Sequence, residues 1–267
     1  MGTYDENVPE RWIHLDGLVN MRDLGGLPTR DGGTTRPGRL IRSDNLQDLT
    51  TDDVTRLVDE LGVTDIVDLR TETELHLEGD GPLRRVTSLT HHHHSLMRER
   101  PAESKEQVAA RALALPEQDE PVRDGAFWAE HYLGYLARRP DSVSAALRAV
   151  SEARGAAVVH CAAGKDRTGT VVAMALDVAG VPHEEIVADY VLTAERIEAI
   201  IGRLSTRDSY GPALARQVVS DQTPRPETML TILDAVDDGW GGAAGWLREN
   251  GWGQDAVERL RMRLTRA

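Results

Sequence analysis

The stretch from Ala156 to Ala179 constrains this chain more than any other. It opens on an apolar run, Ala156 to Val159, that reads as a buried strand. It closes on Gly169 to Ala179, where Val171, Val172, Ala175 and Val178 give a helix one apolar face. Between them runs His160-Cys161-Ala162-Ala163-Gly164-Lys165-Asp166-Arg167-Thr168. A strand that feeds a tight loop and then a helix N-terminus gathers unpaired N–H groups at one point, where the helix dipole also favours negative charge. The order of residues therefore predicts an anion site.

Each residue type in the loop has a chemical use. Cys161, the only cysteine, sits where amide dipoles stabilise a thiolate, a nucleophile able to take up a transferred group covalently. Arg167 offers a planar fork that matches two phosphate oxygens and keeps its charge. Gly164 lets the backbone turn its N–H groups inward. The phosphate-binding set is thus Ala162, Ala163, Gly164, Lys165, Asp166 and Arg167. Thr168 is placed to give its hydroxyl to the sulfur, with His160 as a further supporting residue. Asp166 puts a carboxyl at the rim, where it serves as acid and then as base. A nucleotide P-loop is excluded, because Asp166 follows the Gly-Lys pair and Val159 stands where the first glycine belongs.

Composition sets the surroundings of this site. The net charge of −13 argues against general nucleic-acid binding. The chain has only two lysines, Lys105 and Lys165, and the second lies in the loop. One cysteine allows no internal disulfide, which fits a reducing compartment. Met1 to Glu10 lacks an apolar signal core, and no run approaches a membrane span of about 20 residues. The expected location is cytoplasmic, with export by a signal-less route left open, and integral membrane association is not expected.

Along the chain, Met1 to Pro9 reads as a frayed arm and Trp12 to Leu18 as an edge strand. Turn-rich Asn20 to Gly26 and the Gly/Pro clusters after it lead to a short strand, Arg39 to Ser43. A helix capped by Thr50 runs to Gly62, and an apolar strand spans Val63 to Leu69. Asp68 and Arg70 at its carboxyl end are second site candidates, against a bland reading as an ion pair and a helix cap. His91 to His94 are adjacent and do not easily converge on one ion, so no metal site is assigned. Ser104 to Leu115 is helical in composition and Pro116 to Pro121 breaks it. Phe127, Trp128, Tyr132, Leu133 and Leu136 recur at helical spacing as a core stripe. Further helices are expected from Asp141, over His183 to Ala188, Ala194 to Leu204, Pro226 to Val236 and Asp255 to Leu264. A Gly- and Trp-rich connection separates the last two, where Trp240, Trp246 and Trp252 pack together. No linker or repeat divides the chain, so residues 1–267 read as one α/β domain whose largely parallel central sheet is flanked by helices.

The string His-Cys-x-x-Gly-Lys-x-Arg-Thr-Gly at His160 to Gly169 resembles the phosphate loop of the cysteine-dependent protein tyrosine phosphatase superfamily. Asn-x-Arg-Asp-x-Gly-Gly at Asn20, Arg-Pro-Gly-x-Leu-x-Arg-Ser at Arg36 and Asp-Leu-Arg-x-x-x-Glu at Asp68 narrow this to the atypical bacterial tyrosine and serine phosphatases. The resemblance spans nearly the whole chain except about 88–121. It implies a tyrosine-phosphatase-like fold with a helical, lid-like insertion near 90–125, although 88–121 is shorter than two full helices need.

The reaction so implied is hydrolysis of phosphotyrosine, and also of phosphoserine or phosphothreonine, through a phosphocysteine, with no cofactor or metal. Substrates would be a phosphorylated protein or, alternatively, a phosphoinositide, since the Cys-x-x-Gly-Lys-x-Arg loop is similar to that of phosphatases accepting such headgroups. The alternative reading is that Lys165 pairs with Asp68 or Glu74 and only tunes the loop. No Trp-Pro-Asp tripeptide is present, so the general acid falls to Asp166. A sulfurtransferase loop would lack Asp166 and Thr168, and an arsenate reductase normally needs more cysteines. A non-catalytic phosphate-binding module has no use for the full set of Cys161, Asp166, Arg167 and Thr168. Oligomeric state is left open.

Overall fold

The computed structural model describes residues 11–98, 124–214 and 219–266. Five strands form the main sheet in the spatial order β1 (Arg22–Asp23), β3 (Leu40–Ser43), β6 (Ala156–His160), β4 (Val63–Asp68) and β5 (Thr90–His93). Only β1 is antiparallel to its neighbour; the other pairs are parallel. The apolar run anticipated as a strand is therefore the centre of the sheet, buried along its whole length.

Alternation along the strands divides the core into two layers. Ala157, Val159, Val67 and Leu40 face a large cluster with the helices Gly125–Arg138, Pro140–Glu152, Asp166–Val178, Pro226–Trp240 and Gln254–Leu264. Ala156, Val158, Ile66 and Ile41 face a smaller one, with Leu46, Leu49 and Leu57. Helices on both faces are what mostly parallel strands require, since each crossover returns over the sheet.

Thr50 caps the helix Thr51–Thr55 in a reciprocal box with Asp53, and the chain continues as a π-helical turn, Arg56–Glu60. Such a cap contributes about 1 kcal/mol. The Asp53 carboxylate also accepts Asp16 N–H and Gly17 N–H, each at 2.9 Å. That tie explains why Trp12 to Leu18 is no edge strand: apart from an isolated bridge between Trp12 and Arg22, the stretch is pinned to the helix cap.

Four other expectations are revised. The insertion near 90–125 is not helical throughout, because Thr90–His93 is β5, the far edge of the sheet, and the helix of the aromatic stripe begins at Gly125. The stretches Ser104 to Leu115 and Pro116 to Pro121, like the arm Met1 to Pro9, lie outside the described residues. The loop helix starts at Asp166, three residues before the apolar periodicity shows it. The helix expected over Ala194 to Leu204 splits into a 3-10 turn, Leu192–Arg196, and a helix, Ile197–Ser205. The Gly- and Trp-rich connection holds a helix of its own, Ala243–Glu249, and places Trp246 and Trp252 in the main core. At the C-terminal end β7 (Thr265–Arg266) pairs with β2 (Thr34–Thr35). Among the described residues no helix is long and apolar enough to cross a membrane.

Candidate active site

The loop leaves β6 at His160 and re-enters regular structure at Asp166, so Asp166 and Arg167 occupy the first helical turn. Its carbonyls are taken up by three donors from elsewhere in the chain. Asn45 N–H donates to the Ala162 carbonyl at 2.9 Å. Asn20 Nδ2 donates to Ala163 at 2.9 Å, and Arg42 Nη2 to Gly164 at 2.7 Å. In a trans peptide C=O and N–H point in opposite directions. Fixing these carbonyls therefore aims the N–H groups of Ala163, Gly164 and Lys165 the other way. Gly164 has φ +66, and a Cβ there would lie 2.5 Å from the Ser43 carbonyl oxygen.

Arg42 and Asn20 are themselves held by one buried carboxylate. Asp189 accepts Arg42 Nη1 at 2.6 Å and Arg22 Nε at 3.0 Å. Arg22 Nη1 donates to Asn20 Oδ1 at 2.7 Å. Burial drives the Arg22 guanidinium down to about 10, helped by the adjacent Arg42 and opposed by Asp189. Burial alone would raise the Asp189 carboxyl, but Arg22 and Arg42 outweigh it and hold it far below the usual carboxylate range.

Arg167 is gripped by Glu74 through both terminal nitrogens, at 2.5 and 2.9 Å. Burial opposes the guanidinium's charge, yet Glu74 and the neighbouring Cys161 sulfur raise Arg167 well above its ordinary value. Glu74 responds in the opposite sense: burial pushes up, Arg167 and the Thr71 cap pull down, and the carboxyl ends at about 2. Glu74 lies in the first turn of the helix Glu72–Glu78, whose N-cap is Thr71.

Asp166 Oδ1 accepts the Tyr132 hydroxyl and lies 3.3 Å from Lys165 Nζ. Lys165 is buried and does not reach Asp68 or Glu74 as a bland pairing would have it. Its ammonium donates to the Gln222 carbonyl at 2.7 Å and to Gln222 Oε1 at 3.1 Å, and sits 4.5 Å from the Trp128 ring centre. Trp128 Nε1 in turn donates to the Asp221 carbonyl at 3.0 Å. The short helix Val219–Gln222 is thus fastened over the loop by an indole and an ammonium.

Asp68 and Arg70 form a buried pair, with Arg70 Nε at 2.9 Å and Nη2 at 2.5 Å from the carboxylate. His160 Nε2 stands 3.4 Å from Asp68 on the other side. Burial raises Asp68, but His160 and Arg70 win and hold it well below the carboxylate range. The cap of the next helix is Thr71, not Asp68. These residues line a cavity of about 170 Å³ with Ile66, Leu83 and His91. It lies on the smaller core's side of the sheet, since Ile66 and Leu83 belong to that cluster, whereas Cys161 belongs to the larger one. Asp68, Arg70 and His160 are therefore a layer behind the loop. The Thr168 hydroxyl is buried and makes no hydrogen bond among the described residues, to the sulfur or otherwise.

The histidine run divides its rings between the two faces of the strand, as alternation demands, with His92 and His94 stacked at 6.3 Å. His91 contacts the Leu83 carbonyl at 3.2 Å, His92 the Asp65 carboxylate at 2.8 Å, and His93 the Arg70 carbonyl at 2.7 Å. Elsewhere, at the far end of the loop helix, His183 lies 3.5 Å from Asp177 and 3.7 Å from Asp237. The Asp177 carboxylate is already engaged by Ala243 N–H at 2.8 Å and Arg30 at 3.4 Å, an ion-pair arrangement.

The residues that sequence reading missed are Tyr132, Tyr190, Trp128 and Gln222 around Asp166 and Lys165, Asn45 behind the loop, and Glu74 as the partner of Arg167. The phenols carried a signal, since tyrosine hydroxyls in a core stripe need a partner. Trp128 was visible only as part of that stripe.

A model of the tyrosine phosphatase family matches residues 13–266. The triple specificity protein phosphatase PtpB of Mycobacterium tuberculosis is 29% identical over 286 residues, covering 92% of this chain and 96% of its own. A putative tyrosine-protein phosphatase of Cupriavidus necator is 29% identical over 243 residues, covering 89% and 83%. A tyrosine-protein phosphatase of Nostoc commune is 31% identical over 144 residues, covering 52% and 49%.

Proposed function

The chain belongs to the tyrosine phosphatase family, and from that premise we propose that it hydrolyses phosphotyrosine esters through a phosphocysteine on Cys161. The Cys161 sulfur attacks phosphorus as its thiolate. The S–P bond forms, the P–O bond to the leaving group breaks, and Asp166 gives its proton to the departing oxygen. Water then attacks phosphorus, the S–P bond breaks, and the Asp166 carboxylate takes the water proton. The amides of the loop and the N–H groups of Arg167 not taken by Glu74 hold the non-bridging oxygens, so catalysis rests on positioning and on charge placed in advance. Nothing in this sequence of steps calls for a metal or cofactor.

The observation that carries the reading is the outward capture of the Ala162, Ala163 and Gly164 carbonyls beside an Arg167 already locked by Glu74. Such a loop presents donors alone to whatever sits above the sulfur. Lys165 bears on the choice of ester. Its donors are spent on Gln222 and Asp166, and its charge lies against Trp128. That favours a monophosphate ester over a polyanionic phosphoinositide as the main substrate. The breadth in the name of the mycobacterial relative is the reason to include phosphoserine, phosphothreonine and phosphoinositide esters in the same panel.

The test is phosphate release from para-nitrophenyl phosphate and from that panel by the purified full chain. Cys161→Ser is expected to abolish release, and chelators to leave it intact. Asp166→Asn is expected to lose far more turnover on esters with poor leaving groups than on para-nitrophenyl phosphate. Release that survives Cys161→Ser would remove the reading. No release by the wild-type chain would instead leave open the sulfurtransferase and reductase rivals, which thiosulfate and arsenate assays then decide.

A further inference from the structure

We propose that Tyr132, backed by Tyr190, is a positioning residue that decides which oxygen of Asp166 carries the transferable proton. The proposal deepens the reading of Asp166 as acid and base and rests on it. Three helices meet here: Tyr132 comes from Gly125–Arg138, Tyr190 from His183–Val191, and Asp166 opens Asp166–Val178. Both phenols are fully buried, at 0% and 2% exposure. A buried hydroxyl is costly unless it is hydrogen-bonded, and phenylalanine would fill the same space without that cost. The two hydroxyls lie 3.0 Å apart, and Tyr132 also meets Asp166 Oδ1. A phenol has one proton to give. Tyr132 spends its own on the carboxylate, so Tyr190 must donate to Tyr132, and the chain of donors ends on Oδ1.

Lys165 Nζ lies 3.3 Å from that same Oδ1. An oxygen that accepts a phenol and faces an ammonium is a poor place for a proton, so the proton of the neutral acid resides on Oδ2. The carboxyl is thereby held in one orientation with one oxygen poised for the leaving group. In the second step Oδ2 receives the proton of the attacking water, while Oδ1 keeps its donors throughout. Tyr132 does not exchange its proton in either step. Burial, and then the charge of Asp166, push its ionisation well above the phenol range. Among the described residues, the other titratable groups facing Asp166 are His131 and Tyr135 on the Tyr132 helix and Arg167 beside it. The rings fix the geometry: Tyr132 meets Tyr190 edge-on at 6.3 Å and stacks on Tyr135 at 6.0 Å.

The experiment is a double-mutant cycle on the full chain with two substrates, phenyl phosphate, whose leaving group needs a proton, and para-nitrophenyl phosphate, whose leaving group hardly does. Tyr132→Phe keeps the ring and removes one oxygen. In the wild-type background it is expected to lower kcat on phenyl phosphate by roughly a hundredfold, the lower end of the range of acid catalysis, with a much smaller loss on para-nitrophenyl phosphate and little change in KM. In the Asp166→Asn background the same change is expected to have no further effect on phenyl phosphate, because the group it acts through is gone. Tyr190→Phe is expected to show the same selectivity with a smaller loss. Equal losses in both backgrounds, or on both esters, would mean a packing role and overturn the proposal while Asp166 stays the acid. If Asp166→Asn itself costs the two esters equally, the acid reading falls, and this proposal falls with it.

Discussion

Replacing Glu74 by glutamine removes one charge from the site and little else, and its cost is calculable. Glu74 grips Arg167 through both of its oxygens, and its carboxyl sits at about 2 rather than at 4.5. Because the folded value is depressed, the stabilisation is complete above the unfolded value and is lost as pH falls through the folded one. A carboxyl held that far down contributes about 3 kcal/mol at neutral pH, about half of that at pH 3, and almost nothing near pH 1. Glu74→Gln keeps the shape of the neutral acid, so it is expected to cost about 3 kcal/mol at pH 7 and roughly half as much at pH 3. The assay is urea unfolding of both proteins at a series of pH values, read as midpoint and slope. Activity should fall together with stability, because Arg167 loses the partner that sets the plane of its fork. A penalty that stays constant from pH 7 to pH 3 would refute the reasoning, since the cost would then not follow the charge on Glu74; so would one below about 1 kcal/mol at pH 7, the worth of a screened surface bridge.

Three further changes test other parts of the site. Gly164→Ala places a Cβ 2.5 Å from the Ser43 carbonyl oxygen at a residue with φ +66. Left-handed backbone at alanine costs about 1–2 kcal/mol, and the clash is with strand backbone that cannot move cheaply. A drop in thermal midpoint and an activity loss of about a hundredfold are expected, and a variant with normal kcat/KM contradicts the loop geometry. Asp189→Asn leaves Arg22 and Arg42 buried without their shared anion, which is expected to cost about 3–5 kcal/mol in denaturant unfolding. A cost under about 1 kcal/mol would show that the cluster is not held by charge. Lys165→Ala should lower turnover on phosphotyrosine and on phosphoinositide in the same proportion, because the ammonium braces Gln222 and Trp128 rather than a second phosphate. A selective loss on the phosphoinositide would assign it to the substrate instead.

The sequence shows its central strand, loop and loop helix because residues 156–179 are contiguous and each signal is local. The Thr50 cap is legible for the same reason: its partner Asp53 is three residues away. Local signals fail where neighbours are polar. The helix Asp166–Val178 begins on Asp166, Arg167 and Thr168, which carry no apolar period, so its first turn reads as loop. Strand β5 is a run of histidines and shows no alternation of apolar and polar residues. Glycines 239, 241, 242 and 245 disguise the helix Ala243–Glu249 as a connection. The fold class survives these gaps because it follows from the order of the elements and not from their ends. Site contacts are the harder part. Arg42 and Asp189 are 147 residues apart, and Arg167 and Glu74 are 93 apart, so no spacing pairs them. Asn20, Arg42 and Glu74 each sit in a short motif at the edge of a turn or strand, but a motif does not say which carbonyl or guanidinium its side chain will meet.

The placement of those motifs explains why so much of the chain is needed to hold one loop. A loop that binds an anion must turn its carbonyls away from it, and a carbonyl turned into the protein interior is costly unless a donor meets it. The loop cannot supply that donor, because its own N–H groups point the other way. It therefore borrows donors: a backbone amide at Asn45, a side-chain amide at Asn20 and a guanidinium at Arg42. The last two are in turn oriented through Asp189, directly for Arg42 and through Arg22 for Asn20. Asp189 lies on the helix His183–Val191, which also carries Tyr190, whose hydroxyl meets Tyr132 behind Asp166. One helix thus presents a carboxylate that orients the loop's anchors and, on the next residue, a phenol directed at the proposed acid. A small rotation of that helix would disturb the loop amides and the carboxyl together. On this geometry, electrostatic stabilisation and proton transfer are coupled by one rigid element and are not independently adjustable.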